Sequence, residues 1–210
     1  MKIGVIGGNG KTGQLIINEA LNRGHEVIAF VRKENIDLRG ARVITKDLFN
    51  LNYDDIENCD TIINAFGLWE PETMPQYIEA AKHLSNILGS KENRLLVIGS
   101  AGSLYVDPEH TKMFIETPEM PEFAMPVAKA QAEALAYLRT RDDVKWTYIS
   151  PPIDFRVDGA RTGVYKLGKE ELILSDKGES QISYSDFAIA VVDEAENAKF
   201  VKQRFTVVAV

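Results

Sequence analysis

The sequence predicts an α/β fold of the Rossmann type: a doubly wound, mostly parallel sheet with a small substrate-side region near the C-terminus. Two observations lead to this prediction. A glycine-rich turn follows the first apolar strand directly, and short apolar strands alternate with helical segments along the 210 residues. Because this length is short for two hydrophobic cores, we expect residues 1–210 to form a single Rossmann-type domain.

The first strand, Lys2–Ile6, runs into the turn GGNGKTG at residues 7–13, and a helical pattern follows from Gln14 to Arg23. Glycines allow a tight reversal there and leave room for a pyrophosphate, while the amides at a helix start attract its charge. A second strand, Glu26–Val31, completes a βαβ unit of the length that dinucleotide sites use. The predicted cofactor contacts in this turn are Gly7, Asn9, Gly10, Lys11, Thr12 and Gly13.

The residues after the second strand indicate which dinucleotide is bound. NAD sites usually have an acidic residue here for the ribose hydroxyls, whereas this strand ends in Arg32 and Lys33. Two cations suit the 2′-phosphate of NADP, so we predict NADP, with NAD as the alternative. A solvated basic loop end is the other interpretation, and Glu34 could still contact a ribose.

Further cofactor contacts are expected where the later strands end, because α/β sheets bind ligands beyond the carboxyl ends of their strands. Strands are predicted at Arg42–Thr45, Asp60–Phe66, Arg94–Ile98 and Lys145–Ser150. Ser100, just after the predicted strand Arg94–Ile98, is expected to face the nicotinamide. The other residues predicted at these strand ends are Asp47 and Leu48 beside the adenine, then Asn64, Ala65, Phe66 and Pro151.

The remaining chain completes the alternation of helices and strands. Helices are predicted over Pro71–Leu88, Phe123–Arg141 and Ser183–Glu196, and a last strand over Arg204–Val210. Residues 161–165 and 171–174 are interpreted as two strands of a small hairpin. The irregular residues 104–122 form a long loop of the kind that often binds ligands or closes over them.

The helix over Phe123–Arg141 lacks a residue that many short-chain dehydrogenases use. In those enzymes a tyrosine four residues before a lysine donates a proton to a carbonyl oxygen. This chain has Met125 before Lys129, and methionine cannot donate a proton. We therefore predict no catalytic acid here, and Lys129 is either a contact of the nicotinamide ribose or a surface lysine.

Composition excludes several classes of function. The net charge of −7 and the scattered basic residues argue against a nucleic acid partner. The longest apolar stretches are strand-sized, so neither a membrane span nor a signal peptide is predicted and a cytoplasmic location is expected. The three histidines lack metal-site spacing, and the single cysteine, Cys59, cannot form an internal disulfide.

Several motifs together resemble the atypical short-chain dehydrogenases of the NADH-flavin reductase family, relatives of NmrA-like and biliverdin reductase B-like proteins. Besides the glycine turn and Arg32, they are WTYISPP at residues 146–152, RTG at 161–163 and ISYSDFA at 182–188. The resemblance covers essentially the whole chain. It implies NAD(P) bound across the sheet and reduction of a free flavin, which is a substrate rather than a bound prosthetic group.

Flavin reduction agrees with the missing tyrosine, because flavin N5 accepts the hydride and N1 takes its proton from water. The protein then only needs to align two flat rings. NmrA-like relatives bind the dinucleotide as sensors without turnover, and this is the alternative function. A third function, sugar-nucleotide epimerisation, is disfavoured by the missing tyrosine. The predicted contacts of this small-molecule substrate are Trp69, Ser100, Met125, Pro152 and Phe155. Oligomerisation is left open.

Overall fold

A computed structural model describes residues 1–34, 36–38 and 40–210. Its strands are β1 (Lys2–Ile6), β2 (Glu26–Val31), β3 (Arg42–Thr45), β4 (Thr61–Asn64), β5 (Arg94–Ile98), β6 (Lys145–Ser150), β7 (Asp154–Arg156), β8 (Tyr165–Gly168), β9 (Gln181–Ser183) and β10 (Gln203–Ala209). Its α-helices are α1 (Lys11–Asn22), α2 (Tyr53–Ile56), α3 (Gln76–Leu88), α4 (Met125–Leu138) and α5 (Tyr184–Asn197).

The main sheet has eight strands in the order β3-β2-β1-β4-β5-β6-β10-β8, which confirms the predicted Rossmann-type fold. Neighbouring strands are parallel from β3 through to β10, and β8 is antiparallel to β10 at the edge. The chain winds outward from β1 in one direction and from β4 in the other. The carboxyl ends of β1 and β4, where Ile6 pairs with Asn64, therefore border the crevice at the switch point.

Helices cover both faces of this sheet, which explains why its central strands are apolar almost throughout. On one face, Ile16 of α1 and Phe187 of α5 pack in a core with Val207 of β10. On the other face, Leu84 of α3 and Leu138 of α4 pack in a second core. Among the described residues, no helix combines the length and the apolar composition that crossing a membrane requires.

The structure corrects the predicted hairpin. Residues 165–168 pair with β10 instead of with 171–174, and Leu167 lies opposite Val207. Glu171 forms an isolated bridge with Tyr105. Pairing with residues 165–168 covers the edge of the apolar strand β10, which would otherwise be open. The short parallel pair β7 and β9 was not predicted from the sequence.

Two helices begin later than their sequence pattern suggests. Residues 71–73 and 122–124 form 3₁₀ turns, and the α-helices start only at Gln76 and Met125.

The long loop over residues 104–122 is more ordered than its composition indicates, because Leu104 and Phe114 are buried in a small cluster with Ala101. This packing holds part of the loop against the main body of the fold.

A buried ion pair ties β5 to α5 at the end of the sheet away from the crevice. The guanidinium of Arg94 contacts the carboxylate of Glu194 and also donates to the Glu194 backbone carbonyl at 2.7 Å. The same carboxylate accepts the amides of Lys199 at 3.0 Å and Phe200 at 3.1 Å. Glu194 is 3% exposed, so loss of its charge would leave Arg94 buried without a counterion.

We predict that Glu194→Ala lowers the free energy of unfolding by about 3–5 kcal/mol, because it leaves the Arg94 charge and two backbone amides buried without partners. Urea denaturation followed by circular dichroism measures the change. Glu92→Ala is the matched control, since Glu92 pairs with Lys145 while its side chain is 96% exposed. Its unfolding midpoint should not move. Equal shifts for the two variants would contradict the role assigned to the buried pair.

Candidate functional site

The turn between β1 and α1 closes tightly on itself. Gly7 has a positive φ of +74°, its amide donates to the Phe30 carbonyl at 3.1 Å, and its carbonyl accepts the amide of Gly10 at 2.9 Å. A Cβ on Gly13 would lie only 2.3 Å from the Gly7 carbonyl oxygen. Only glycine therefore lets α1 start this close to the turn.

The first backbone amides of α1 have no hydrogen-bond acceptor within the helix. The first amides of a helix have no partner within that helix, and the positive end of the helix dipole lies beside them. Gly10 is the N-cap and contributes no capping side chain. These amides are therefore available to a bound anion such as a phosphate.

A cleft of about 630 Å³ lies over this helix start, at the switch point of the sheet. It brings together nine of the predicted cofactor residues: Gly7, Asn9, Gly10, Lys11, Thr12, Arg32, Leu48, Ala65 and Phe66. Gly13 lies beneath the turn rather than on the surface of the cleft, and acts through the close contact described above. We call this the nucleotide cleft.

Arg32 supplies an exposed positive charge to the nucleotide cleft, while Lys33 lies outside the lining. Among the described residues, no carboxylate forms an ion pair with Arg32. Lys46 also lines the cleft, but its ammonium group contacts Asp55 at 2.6 Å. Burial of Asp55 opposes its ionisation, yet the hydrogen bond and charge of Lys46 and the hydrogen bond from the Asn52 amide together outweigh burial and lower the pKa of the carboxyl.

Two of the predicted cofactor residues hold the backbone of the cleft instead of lining it. The carboxylate of Asp47 accepts the Phe49 amide at 2.9 Å and so caps the 3₁₀ turn that carries Leu48. The side chain of Asn64 accepts the Phe66 amide at 3.1 Å and is 5% exposed. Both side chains fix the loops that position their neighbours, Leu48 and Phe66.

A second cavity, of about 430 Å³, adjoins the nucleotide cleft. The residues that border both spaces are Thr12, Ala65, Phe66, Gly67, Trp69 and Tyr184. The predicted residues Trp69, Ser100, Pro151, Pro152 and Phe155 lie along its walls. Because Ser100 follows β5 and Pro151 follows β6, this space continues along the carboxyl ends of the strands. We call it the acceptor cavity.

The structure does not bring Met125 and Lys129 to either space. Val127 and Ala128 of α4 line the acceptor cavity, and with about 3.6 residues per turn Lys129 lies on the opposite side of the helix. Lys129 is accordingly exposed. Met125 begins the helix on that same opposite side, so the position of the dehydrogenase tyrosine does not face the cavity in this chain.

Sequence reasoning missed several residues of the acceptor cavity, and Tyr184 is foremost among them. Its ring stacks on Phe155 with centroids 3.7 Å apart, and it borders both spaces. Burial raises the pKa of Tyr184, so its phenol stays protonated at neutral pH. The SYSD motif signalled only a helix cap, which Ser183 indeed forms by accepting the Asp186 amide at 3.0 Å. The other lining residues missed include Tyr77, Phe114, Phe123 and Gln131.

The residues present fit a dinucleotide. The glycine turn leaves the helix amides uncovered by any side chain, which suits a pyrophosphate. Arg32 lies on the wall formed by the end of β2, where an adenosine ribose lies in folds of this type, and Leu48 offers an apolar surface. The acceptor cavity lies beyond Ala65 and Phe66, where the nicotinamide end of a dinucleotide in this orientation would reach.

Comparison with known proteins agrees with this fit, since residues 7–198 match a family described as NAD(P)H-binding. The chain is 44% identical over 211 residues to the uncharacterized protein YwnB of Bacillus subtilis, covering 100% of this chain and 99% of that protein. A solved structure from Streptococcus pneumoniae, named a putative NADH-flavin reductase, is 43% identical, covers 100% of both chains and has a TM-score of 0.96. Another, named a putative epimerase, from Bacteroides thetaiotaomicron, is 35% identical, covers 100% of this chain and 97% of that one, and has a TM-score of 0.87. The resemblance drawn from the motifs is confirmed.

We predict that Gly13→Ala weakens NADPH binding at least about tenfold, which corresponds to ~1.4 kcal/mol. The added methyl group meets the Gly7 carbonyl and must push the helix start away from the turn. Isothermal titration calorimetry measures the affinity, and circular dichroism checks the fold. Asn18→Ala, an exposed change on the same helix, is the control and should bind like the wild type. An unchanged affinity for Gly13→Ala would show that the close contact does not shape the site.

Proposed function

This chain belongs to the NAD(P)H-binding family, and from that premise we propose that it is an oxidoreductase that transfers hydride from NAD(P)H to a free flavin or a similar flat acceptor. The observation that carries the proposal is the junction of the two spaces. A cleft built on a glycine turn and a helix start opens directly into a cavity with aromatic walls. A flat small molecule in that cavity would lie against the nicotinamide end of the cleft.

The chain's own residues bind and orient the two partners. The amides of α1 and the guanidinium of Arg32 suit the negative charges of NADPH. The Asn64 side chain accepts the Phe66 amide, and the Phe66 ring packs edge-on against Tyr77 with ring centroids 5.7 Å apart. Phe66 therefore forms a rigid wall between the two spaces. The stacked pair of Phe155 and Tyr184 gives the acceptor a flat apolar surface.

The reaction requires no acid from the protein. When bound, the reduced nicotinamide supplies a hydride, which flavin N5 accepts while N1 takes a proton from water, leaving oxidised dinucleotide and reduced flavin. Alignment of two rings and exclusion of bulk water are what the cavity walls supply. This agrees with Met125, which lies away from the cavity and has no proton to donate.

The experiment that tests the proposal is steady-state oxidation of NADPH with FMN, riboflavin or menadione as acceptor. We expect a saturable, acceptor-dependent rate above the uncatalysed reaction, and we expect Gly13→Ala to reduce it through weaker NADPH binding. Tight dinucleotide binding with no acceptor-dependent turnover would overturn the reductase proposal. It would favour the alternative, a regulatory protein that senses the redox state of the dinucleotide.

The preference for NADPH has its own test. Arg32→Ala should weaken NADPH binding about 10- to 100-fold, because a charge-assisted contact with the 2′-phosphate contributes about 1.5–3 kcal/mol. NADH lacks that phosphate, so its affinity should change by less than about twofold. Lys33→Ala is the control, since Lys33 lies outside the cleft. Titration calorimetry with both dinucleotides measures the effect, and equal losses for the two would contradict it.

A further inference from the structure

One polar side chain among the apolar walls of the acceptor cavity has an unused acceptor. Gln131 of α4 lines the cavity and is 8% exposed, and no donor of the described residues reaches its side-chain oxygen Oε1. Its backbone carbonyl, in contrast, accepts the Tyr148 hydroxyl at 3.0 Å. A buried amide oxygen normally has a donor, because leaving it unpaired is unfavourable. A ligand in the cavity can supply that donor.

A second unpaired polar atom belongs to the same part of the cavity. The hydroxyl oxygen of Ser100 is also buried without a partner among the described residues. A Cβ placed on Gly102 would lie 3.6 Å from that oxygen and 2.6 Å from the Cβ of Ala128. Ala128 precedes Gln131 by about one helical turn and lies on the same face of α4. The loop after β5, which carries Ser100, therefore lies against the helix face that carries Gln131.

Two other polar groups of the cavity, those of Tyr77 and Asp154, are already engaged. The Tyr77 hydroxyl donates to the Leu68 carbonyl and accepts the Leu68 amide, both at 2.8 Å. Asp154, a carboxylate that lines this cavity, is exposed and forms an ion pair with Arg156. Most of the remaining lining residues are apolar, Val127 and Phe114 among them. The ligand surface that meets Gln131 is therefore uncharged and must bring its own hydrogen-bond donor.

A primary amide presents an acceptor and a donor side by side. Its best complement is a ring edge in which an N–H adjoins a carbonyl, because both groups of the amide are then paired. The isoalloxazine ring of a flavin has such an imide edge, with N3–H between two carbonyls. A quinone has carbonyls alone and would leave the Gln131 oxygen unpaired.

We propose that Gln131 selects acceptors that carry an imide or lactam edge, and so distinguishes flavins from quinones. This inference rests on the proposed function, because it names the substrate class of the same site. Gln131 is a specificity residue: it touches the ring edge and takes no part in hydride transfer. Ser100, on the same side of the cavity, gives the ring a second hydrogen bond.

The test compares lumiflavin with 3-methyllumiflavin, which differ at N3 alone, where a methyl group replaces the N–H; the Gln131→Leu variant separates loss of the donor from the added bulk. Wild-type protein should prefer lumiflavin by about tenfold, both in kcat/KM with NADPH and in Kd for the NADP+-saturated protein. The Kd is measured by quenching of flavin fluorescence. Gln131→Leu should bring the preference below about twofold by weakening lumiflavin alone, with menadione reduction changed by less than about twofold. Glu133→Leu, an exposed change on the same helix, should retain the wild-type preference.

The possible outcomes separate this inference from the reductase proposal. Equal binding of the two flavins by the wild type, which needs no variant to fold, would overturn the role of Gln131. So would a preference that survives in Gln131→Leu, or menadione turnover without flavin binding. Flavin binding with the N3 preference but without turnover would support Gln131 as the contact while removing the reductase activity.

Discussion

The contact of Gly13 with the carbonyl of Gly7 is the constraint on which the rest of the site depends. It sets α1 against the turn after β1, and so brings unpaired helix amides to the point where β1 and β4 diverge. Backbone hydrogen bonds extend this constraint to both sides. The Phe30 carbonyl accepts the Gly7 amide at 3.1 Å, and the Ala65 amide donates to the carbonyl of Ile6 at 3.0 Å. The walls after β2 and β4 are thereby fixed relative to the helix start.

Polar side chains divide between the two spaces in a way that follows from this geometry. In the nucleotide cleft, Asp47 and Asn64 are occupied by backbone amides, and Lys46 by a carboxylate. Recognition there falls to the backbone and to the cations Lys11 and Arg32, which suits a ligand rich in phosphate oxygens. The acceptor cavity has aromatic walls and two buried neutral atoms without a partner among the described residues, so it suits a flat and largely apolar ring instead.

The sequence predicted those parts of the molecule that are encoded locally. The glycine turn, the apolar strands and the basic end of β2 are each continuous in sequence, and their places in the sheet follow from the fold class. Tyr184 and Gln131 became visible only when distant segments were packed together. The segments β7 and β9 have three residues each, too few to show a period. Lys129 was placed by its spacing from Met125, although the face of α4 on which it lies decides what it can touch.

The orientation of α4 about its own axis has a chemical consequence. The helix turns small and apolar residues, Val127 and Ala128, towards the cavity, together with the amide of Gln131. A short-chain dehydrogenase with a tyrosine on that face could protonate a carbonyl oxygen, whereas Val127, Ala128 and Gln131 offer no general acid. For the proposed reductase, this face of α4 favours acceptors that can obtain their own proton from water. In the proposed reaction the acceptor sets the reactivity and the cavity wall sets the selectivity, so changes to the wall should alter which ring is bound without altering how it is reduced.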